Sequence, residues 1–137
     1  MWKYYALLSA FFAATTAILA KVGVKGINGN LATAIRTVVV LVLAWGIVFF
    51  SGHFKDIKDI SKFNWLFLIL SGLATGLSWI FYFKALETGD VSKVAPIDKL
   101  SMVLVMILAF VFLKEPMDIK TIAGGVLITG GVLLLIS

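Results

Sequence analysis

Five long apolar runs, separated by short polar segments, occupy almost the whole chain. Their positions predict helices over roughly residues 4–24, 31–51, 65–84, 96–113 and 119–136. Each run is close to the 18 or more apolar residues that a helix needs to cross a bilayer. The sequence therefore predicts an all-α integral membrane protein, with five transmembrane helices forming a single domain over residues 1–137.

Composition excludes several other classes of protein. Hydrophobic residues make up 61% of the chain, which is more than a soluble protein of this length can bury. The net charge of +5 is spread over the loops without a basic patch, so it indicates lipid anchors and topology signals and not nucleic-acid binding. With no cysteine and one histidine, we predict no disulfide, no metal site and no cofactor.

Lysines are shared almost evenly between the two sides of the membrane. With the N-terminus on one side, that side holds six lysines (Lys3, Lys55, Lys58, Lys62, Lys114 and Lys120). The other side holds four (Lys21, Lys25, Lys84 and Lys93), or six basic residues when Arg36 and Lys99 are counted with it. A clear excess normally fixes orientation. Two interpretations therefore stay open: a weak preference for the N-terminus inside, or insertion in both orientations.

An odd number of spans places the two termini on opposite sides of the membrane. Many transporters consist of two repeats related by inverted topology. A single five-helix unit reaches the same architecture as an antiparallel homodimer, which is the assembly that we predict.

The fourth predicted helix carries ionisable residues near its start. Asp98 and Lys99 follow Pro96, and Ser101 shares a face with Asp98. Charged groups within a span are costly and generally face a cavity or a partner. One interpretation is that these residues contact a polar or zwitterionic substrate. The alternative is that Lys99 reaches the lipid headgroups and Asp98 caps the helix start. As neighbours, the two point about 100° apart and are expected to neutralise each other poorly.

The second and third predicted helices add three candidate substrate-contact residues. Arg36 lies two turns inside the second helix, where it would hold a carboxylate or phosphate, or else form an interhelical salt bridge or pair with backbone carbonyls. Trp79 and Tyr82 combine apolar faces with polar tips, which suits a cavity wall that binds cations or amphipathic metabolites. The alternative for both aromatics is packing or a position in the interfacial belt.

Small residues on the fifth predicted helix suggest a contact between two copies. Gly124, Gly125 and Gly131 permit close approach of helix backbones in lipid. They predict the dimer interface, although the same groove would also suit another helix of the same chain. Two further local signals concern helix starts: Asn30 is a candidate cap of the second helix, and both prolines are expected at helix starts and not within a span.

The order and spacing of several stretches resemble the EamA domain, the repeat unit of the drug/metabolite transporter superfamily. The resemblance rests on residues 79–97, 112–116 and the glycine-rich 124–132, together with Lys21 and Arg36. It covers residues 4–137. The resemblance implies export or exchange of small metabolites. Most relatives carry two such repeats, so the family also implies that this single unit dimerises.

We therefore predict a transporter of small metabolites that works by alternating access, with a cavity between the subunits of a homodimer in a prokaryotic cytoplasmic membrane. Two alternatives remain: a flippase for lipid-linked molecules, and a non-transporting partner of another half-transporter. An enzyme is not expected, because the spans contain no nucleophile–base pair, metal-ligand cluster or phosphate loop.

Overall fold

A computed structural model describes all 137 residues, and every regular element in it is helical. Six α-helices and one 3-10 helix follow one another: α1 (Trp2–Gly23), α2 (Gly29–Ser51), the 3-10 helix (His53–Asp59), α3 (Lys62–Thr88), α4 (Val91–Asp98), α5 (Leu100–Phe112) and α6 (Ile119–Ile136). Five segments are long and apolar enough to cross a membrane, since α4 and α5 together form one of them. The predicted fold class and number of spans are confirmed.

Most large apolar side chains lie on the surface of the chain. Phe50, for example, is 97% exposed, whereas Leu86 is completely buried. Contiguous apolar surface of this extent is unstable in water. The helices therefore have lipid, or another protein in the membrane, against most of their length.

Residues 19–88 form one compact unit, in which α2 packs against α3. The start of α2 meets the end of α3, because the Gly29 N–H donates a hydrogen bond to the Glu87 carboxylate. The two helices are therefore antiparallel. At the other end of α2, the rings of Phe49 and Phe54 stack with centroids 4.8 Å apart and attach the 3-10 helix.

The cap of α2 is Asn28 and not the predicted Asn30. Asn28 has an extended backbone, and its side chain accepts a hydrogen bond from the Asn30 N–H at 2.9 Å. Asn30 is already helical, so its own side chain cannot satisfy the first free N–H groups.

Residues 1–18 and 89–137 form the second compact unit, in which α4 and α5 pack against α6. The predicted start of the fourth span at residue 96 is wrong, because α4 already begins at Val91. Pro96 therefore lies inside a helix, and the span is interrupted at Lys99. Proline lacks an N–H, so the Ser92 carbonyl loses its partner within α4, and at the break itself the Lys99 N–H donates to the Pro96 carbonyl three residues back.

The start of α6 is capped by Asp118. Its carboxylate accepts one hydrogen bond from the Thr121 hydroxyl and another from the Thr121 backbone N–H. Both bonds lower the pKa of the Asp118 carboxyl below its ordinary value, and the bond from the hydroxyl has the larger effect. A lowered pKa in the folded state means that the cap stabilises the fold at neutral pH and that this contribution is lost as the pH falls.

A pH-dependent melting experiment checks this cap. Between pH 7 and about pH 3 we expect the melting temperature of the wild type to fall further than that of Asp118→Asn, because asparagine caps a helix without titrating. Equal slopes for the two proteins in detergent micelles would show that protonation of Asp118 does not weaken the helix start.

Candidate substrate site

Arg36 lies against two aromatic rings of the neighbouring helix. Its guanidinium carbon is 4.6 Å from the centre of the Trp79 ring and 5.4 Å from that of Phe83. Trp79 and Phe83 are four residues apart, so they lie on the same face of α3 and meet one partner on α2. Both distances are within the range of a favourable cation–π contact.

The guanidinium contacts rings whose residues lie about as far from the near end of the helices as Arg36 itself does. That end is marked by the hydrogen bond between Gly29 and Glu87. Measured from that hydrogen bond at 1.5 Å per residue, Arg36 lies about 10 Å along α2. Phe83 and Trp79 lie about 6 and 12 Å from it along α3. A charged side chain is therefore kept well inside the span, where it is costly unless it has a role.

Tyr82 lies beside this cluster. It is partly buried, and its ring meets that of Phe83 edge-on at 6.3 Å. The structure thus brings together three residues that the sequence singled out, Arg36, Trp79 and Tyr82. It adds Phe83, which is 2% exposed.

A second polar cluster ties the ends of three helices within residues 19–88. Besides the bond between Gly29 and Glu87, the Lys21 ammonium donates to the Leu86 carbonyl at 2.6 Å. An anion thus meets the N-terminus of α2 and a cation the C-terminus of α3, which is the favourable sense for both helix dipoles. We call Lys21, Gly29, Leu86 and Glu87 the helix-end junction.

A pocket of about 350 Å³ opens beside the helix-end junction. Its lining combines charged and polar groups with apolar side chains. The lining residues are Lys21, Val24, Lys25, Gly26, Ile27, Asn28, Leu86 and Glu87. The lining comes from the ends of helices and the turn between α1 and α2, so the pocket lies at the boundary of the spans and not at the depth of Arg36.

Asp98 and Lys99 lie together at the break between α4 and α5. The Lys99 ammonium is 3.9 Å from the Asp98 carboxylate, and the side chains are 49% and 38% exposed. Regular helix geometry would point the two side chains about 100° apart, and here they meet at the break between α4 and α5 at a distance too long for a hydrogen bond. Asp98 ends α4 and does not cap a helix start, which corrects that alternative. Ser101 is exposed in the first turn of α5.

The three glycines of α6 face different surroundings. Gly125 is buried, and a Cβ there would lie 3.5 Å from the Met106 sulfur of α5. Nothing lies within 4 Å of the corresponding positions at Gly124 and Gly131. Gly125 thus packs inside the chain, and the predicted contact between copies depends on Gly124 and Gly131.

Comparison with known proteins decides the family. The model of the EamA-like transporter family matches residues 1–137. The chain belongs to the EamA-like transporter family. A similar protein is the "Uncharacterized transporter in cobO 3'region" of Sinorhizobium sp., which is 51% identical over 134 residues, or 98% of this chain and 95% of that protein. No solved structure matches. With its five spans, this EamA-like protein is a multi-pass membrane transporter.

Proposed function

We propose that this protein exports or exchanges small metabolites across a prokaryotic cytoplasmic membrane, by alternating access in an antiparallel homodimer with the substrate cavity between its subunits. The observation that carries the proposal is Arg36, an arginine held at membrane depth against Trp79 and Phe83. An intramembrane charge placed in this way supports a substrate pathway, because a purely structural helix gains nothing from its desolvation cost.

Three observations support the dimer. Five spans place the termini on opposite sides of the membrane, as an inverted pair of units requires. The matched stretch makes up 95% of the similar transporter of Sinorhizobium, so that relative has the length of one such unit. Gly124 and Gly131 leave open space beside α6 where a second backbone can approach closely.

Insertion in both orientations would supply the two halves of an antiparallel dimer from one gene product. We expect a compartment-specific reporter fused after Ser137 to give signal on both sides of the membrane, because the lysines are nearly balanced. Moving two lysines from one set of loops to the other should then shift the ratio. Signal confined to one side in the unmodified protein would rule out dual insertion.

Transport measurements test the contribution of Asp98 and Lys99. A melting-temperature screen against amino acids, amines, sugars and nucleosides identifies a ligand, since binding stabilises the folded state. Uptake of that compound into proteoliposomes should fall about tenfold or more in Asp98→Asn and in Lys99→Met if the ion pair contacts substrate, because a lost charged hydrogen bond costs about 1.5–3 kcal/mol.

The matched controls are Asp56→Asn and Lys58→Met. They remove the same charges from the 3-10 helix, which lies between two spans, and should leave uptake unchanged. Wild-type uptake in both Asp98→Asn and Lys99→Met would remove these two residues from the substrate pathway.

A further inference from the structure

We propose that the transported molecule carries a carboxylate or phosphate group, and that Arg36 binds this group through its N–H donors while Trp79 and Phe83 hold the guanidinium in place. The inference rests on the proposed transport function and specifies the substrate class. It depends on three features of the Arg36 cluster, which consists of Arg36, Trp79 and Phe83. These are the uncompensated positive charge, the N–H donors of the guanidinium and its depth in the span.

The positive charge of Arg36 is not neutralised by its neighbours. The two rings that it contacts are neutral, and the side chain beside them, Tyr82, is a phenol and not a carboxylate. The carboxylate on the same stretch of α3, Glu87, accepts the hydrogen bond from Gly29. A bound anion would therefore complete the charge balance of the cluster.

The cation–π contacts leave the hydrogen-bonding capacity of the guanidinium largely unused. The rings attract its charge through their faces and provide no carbonyl or carboxylate oxygen for its five N–H groups. Those donors form a planar fork that matches a carboxylate or phosphate with two parallel hydrogen bonds. Arg36 thus presents a preformed recognition element for such a group.

The depth of Arg36 strengthens the hydrogen bonds that it makes to an anion, and pairing with that anion offsets part of the desolvation cost of the guanidinium. The guanidinium remains level with Trp79 and Phe83, about two turns from the helix ends. In the lower dielectric of this region a charge-assisted hydrogen bond is stronger than in water. The same geometry disfavours a cationic substrate on Trp79, because that ring already contacts a positive group and like charges repel.

The two rings differ in how firmly they are placed. Phe83 is 2% exposed and fixed in the packing of residues 19–88, whereas Trp79 is only partly buried. Phe83 is therefore a positioning residue, which acts on the substrate only through Arg36. Trp79 is accessible enough to report binding, because indole fluorescence responds to a charge entering its surroundings.

Ligand binding to the purified full-length protein tests the proposal without requiring transport. Melting temperature and tryptophan fluorescence are measured with acetate, benzoate, glycerol phosphate and inorganic phosphate, and with benzylamine as the cationic counterpart of benzoate. We expect at least one anion to raise the melting temperature and benzylamine to have no effect. The anion's Kd should rise about tenfold or more in Arg36→Met, as expected for the loss of a charged hydrogen bond.

Two further variants keep the test decisive if Arg36→Met folds poorly. Arg36→Lys retains the charge but not the fork, so weaker binding in this variant, with the melting temperature of the free protein maintained, supports recognition by the guanidinium. Phe83→Leu should weaken anion binding less than Arg36→Met does. When Phe83→Leu is already present, adding Arg36→Lys should raise the Kd by a smaller factor than it does in the wild type. Lys55→Met removes a lysine of the 3-10 helix and should bind the anion as the wild type does.

Each outcome distinguishes this inference from the proposed transport. Equal anion binding by the wild type and Arg36→Met overturns recognition by Arg36, and no stabilisation by any of the four anions overturns the anionic substrate class. Transport of an amine or a neutral sugar would then leave the transport function intact. Nanodiscs with phosphatidylglycerol or phosphatidylcholine separate the two sources of phosphate: stabilisation by phosphatidylglycerol alone, lost in Arg36→Met, would assign Arg36 to lipid and overturn the soluble substrate.

Discussion

Replacing Gly29 by valine should reduce the stability of the protein by about 2–4 kcal/mol, the sum expected for a lost hydrogen bond and an overpacked contact. A Cβ at residue 29 would lie 2.6 Å from the Glu87 carboxylate oxygen and 3.4 Å from the Lys84 backbone nitrogen. The carboxylate can move aside only by giving up its hydrogen bond to the Gly29 N–H, while the Lys84 backbone cannot move independently of α3.

Gly46→Val is the matched control, because Gly46 lies in the same helix and nothing is within 4 Å of the position that its Cβ would take. Unfolding in mixed micelles, followed by circular dichroism, should show a loss of stability for Gly29→Val and little change for Gly46→Val. If the two variants unfold alike, the contact between the start of α2 and the end of α3 contributes no stability in the membrane protein.

Replacing both Gly124 and Gly131 by leucine should dissociate most of the proposed dimer, with an expected loss of affinity of more than tenfold. Each leucine would fill the open space beside α6 and hold a second backbone away, so the close packing that drives helix association in lipid would be lost. Cross-linking yield across a dilution series in lipid measures the association directly.

Gly125→Leu provides an informative contrast to the double variant. Gly125 is buried against Met106, so leucine there should disturb the packing of α5 on α6 within one chain and lower the melting temperature. Full dimerisation of the Gly124→Leu, Gly131→Leu protein, with a normal fold, would place the contact between copies on a different surface.

The five spans can be predicted because apolar length alone determines them, but the exact course of the fourth span cannot. The residues before Pro96 are mixed in polarity, so hydropathy places the helix start at the proline. In the structure, the Asp90 carbonyl accepts hydrogen bonds from the N–H groups of Lys93 and Val94, and this starts the helix earlier. The polar sequence of α4 conceals a helix whose stability comes from packing against α6.

The candidate site can be predicted residue by residue but not as contacts. Arg36 stands out because a charge in a span is costly, and Trp79 because of its polar-tipped ring. Their pairing depends on the register between α2 and α3, which no local pattern encodes. Phe83 is visible in the sequence only as the residue four positions after Trp79 on the same helix face, where it looks like ordinary packing.

The helix-end junction escapes prediction for a related reason. In the sequence, Glu87 belongs to a polar connection, and Lys21 has the typical position of a lipid anchor. The signal available in the sequence is that an acidic residue, Glu87, suits the N-terminus of a helix and a basic residue, Lys21, suits the C-terminus of another. That signal is weak in sequence because Gly29 and Glu87 are separated by almost the whole of two spans.

This separation has a consequence for synthesis in the membrane. The N-terminus of α2 emerges from the ribosome long before Glu87, so the Gly29 N–H has no carboxylate partner until α3 has also been made. Lys21 likewise reaches its carbonyl only after Leu86 has been added. The helix-end junction therefore forms only after the final residues of α3 have been made, which places it late in the assembly of the first three spans.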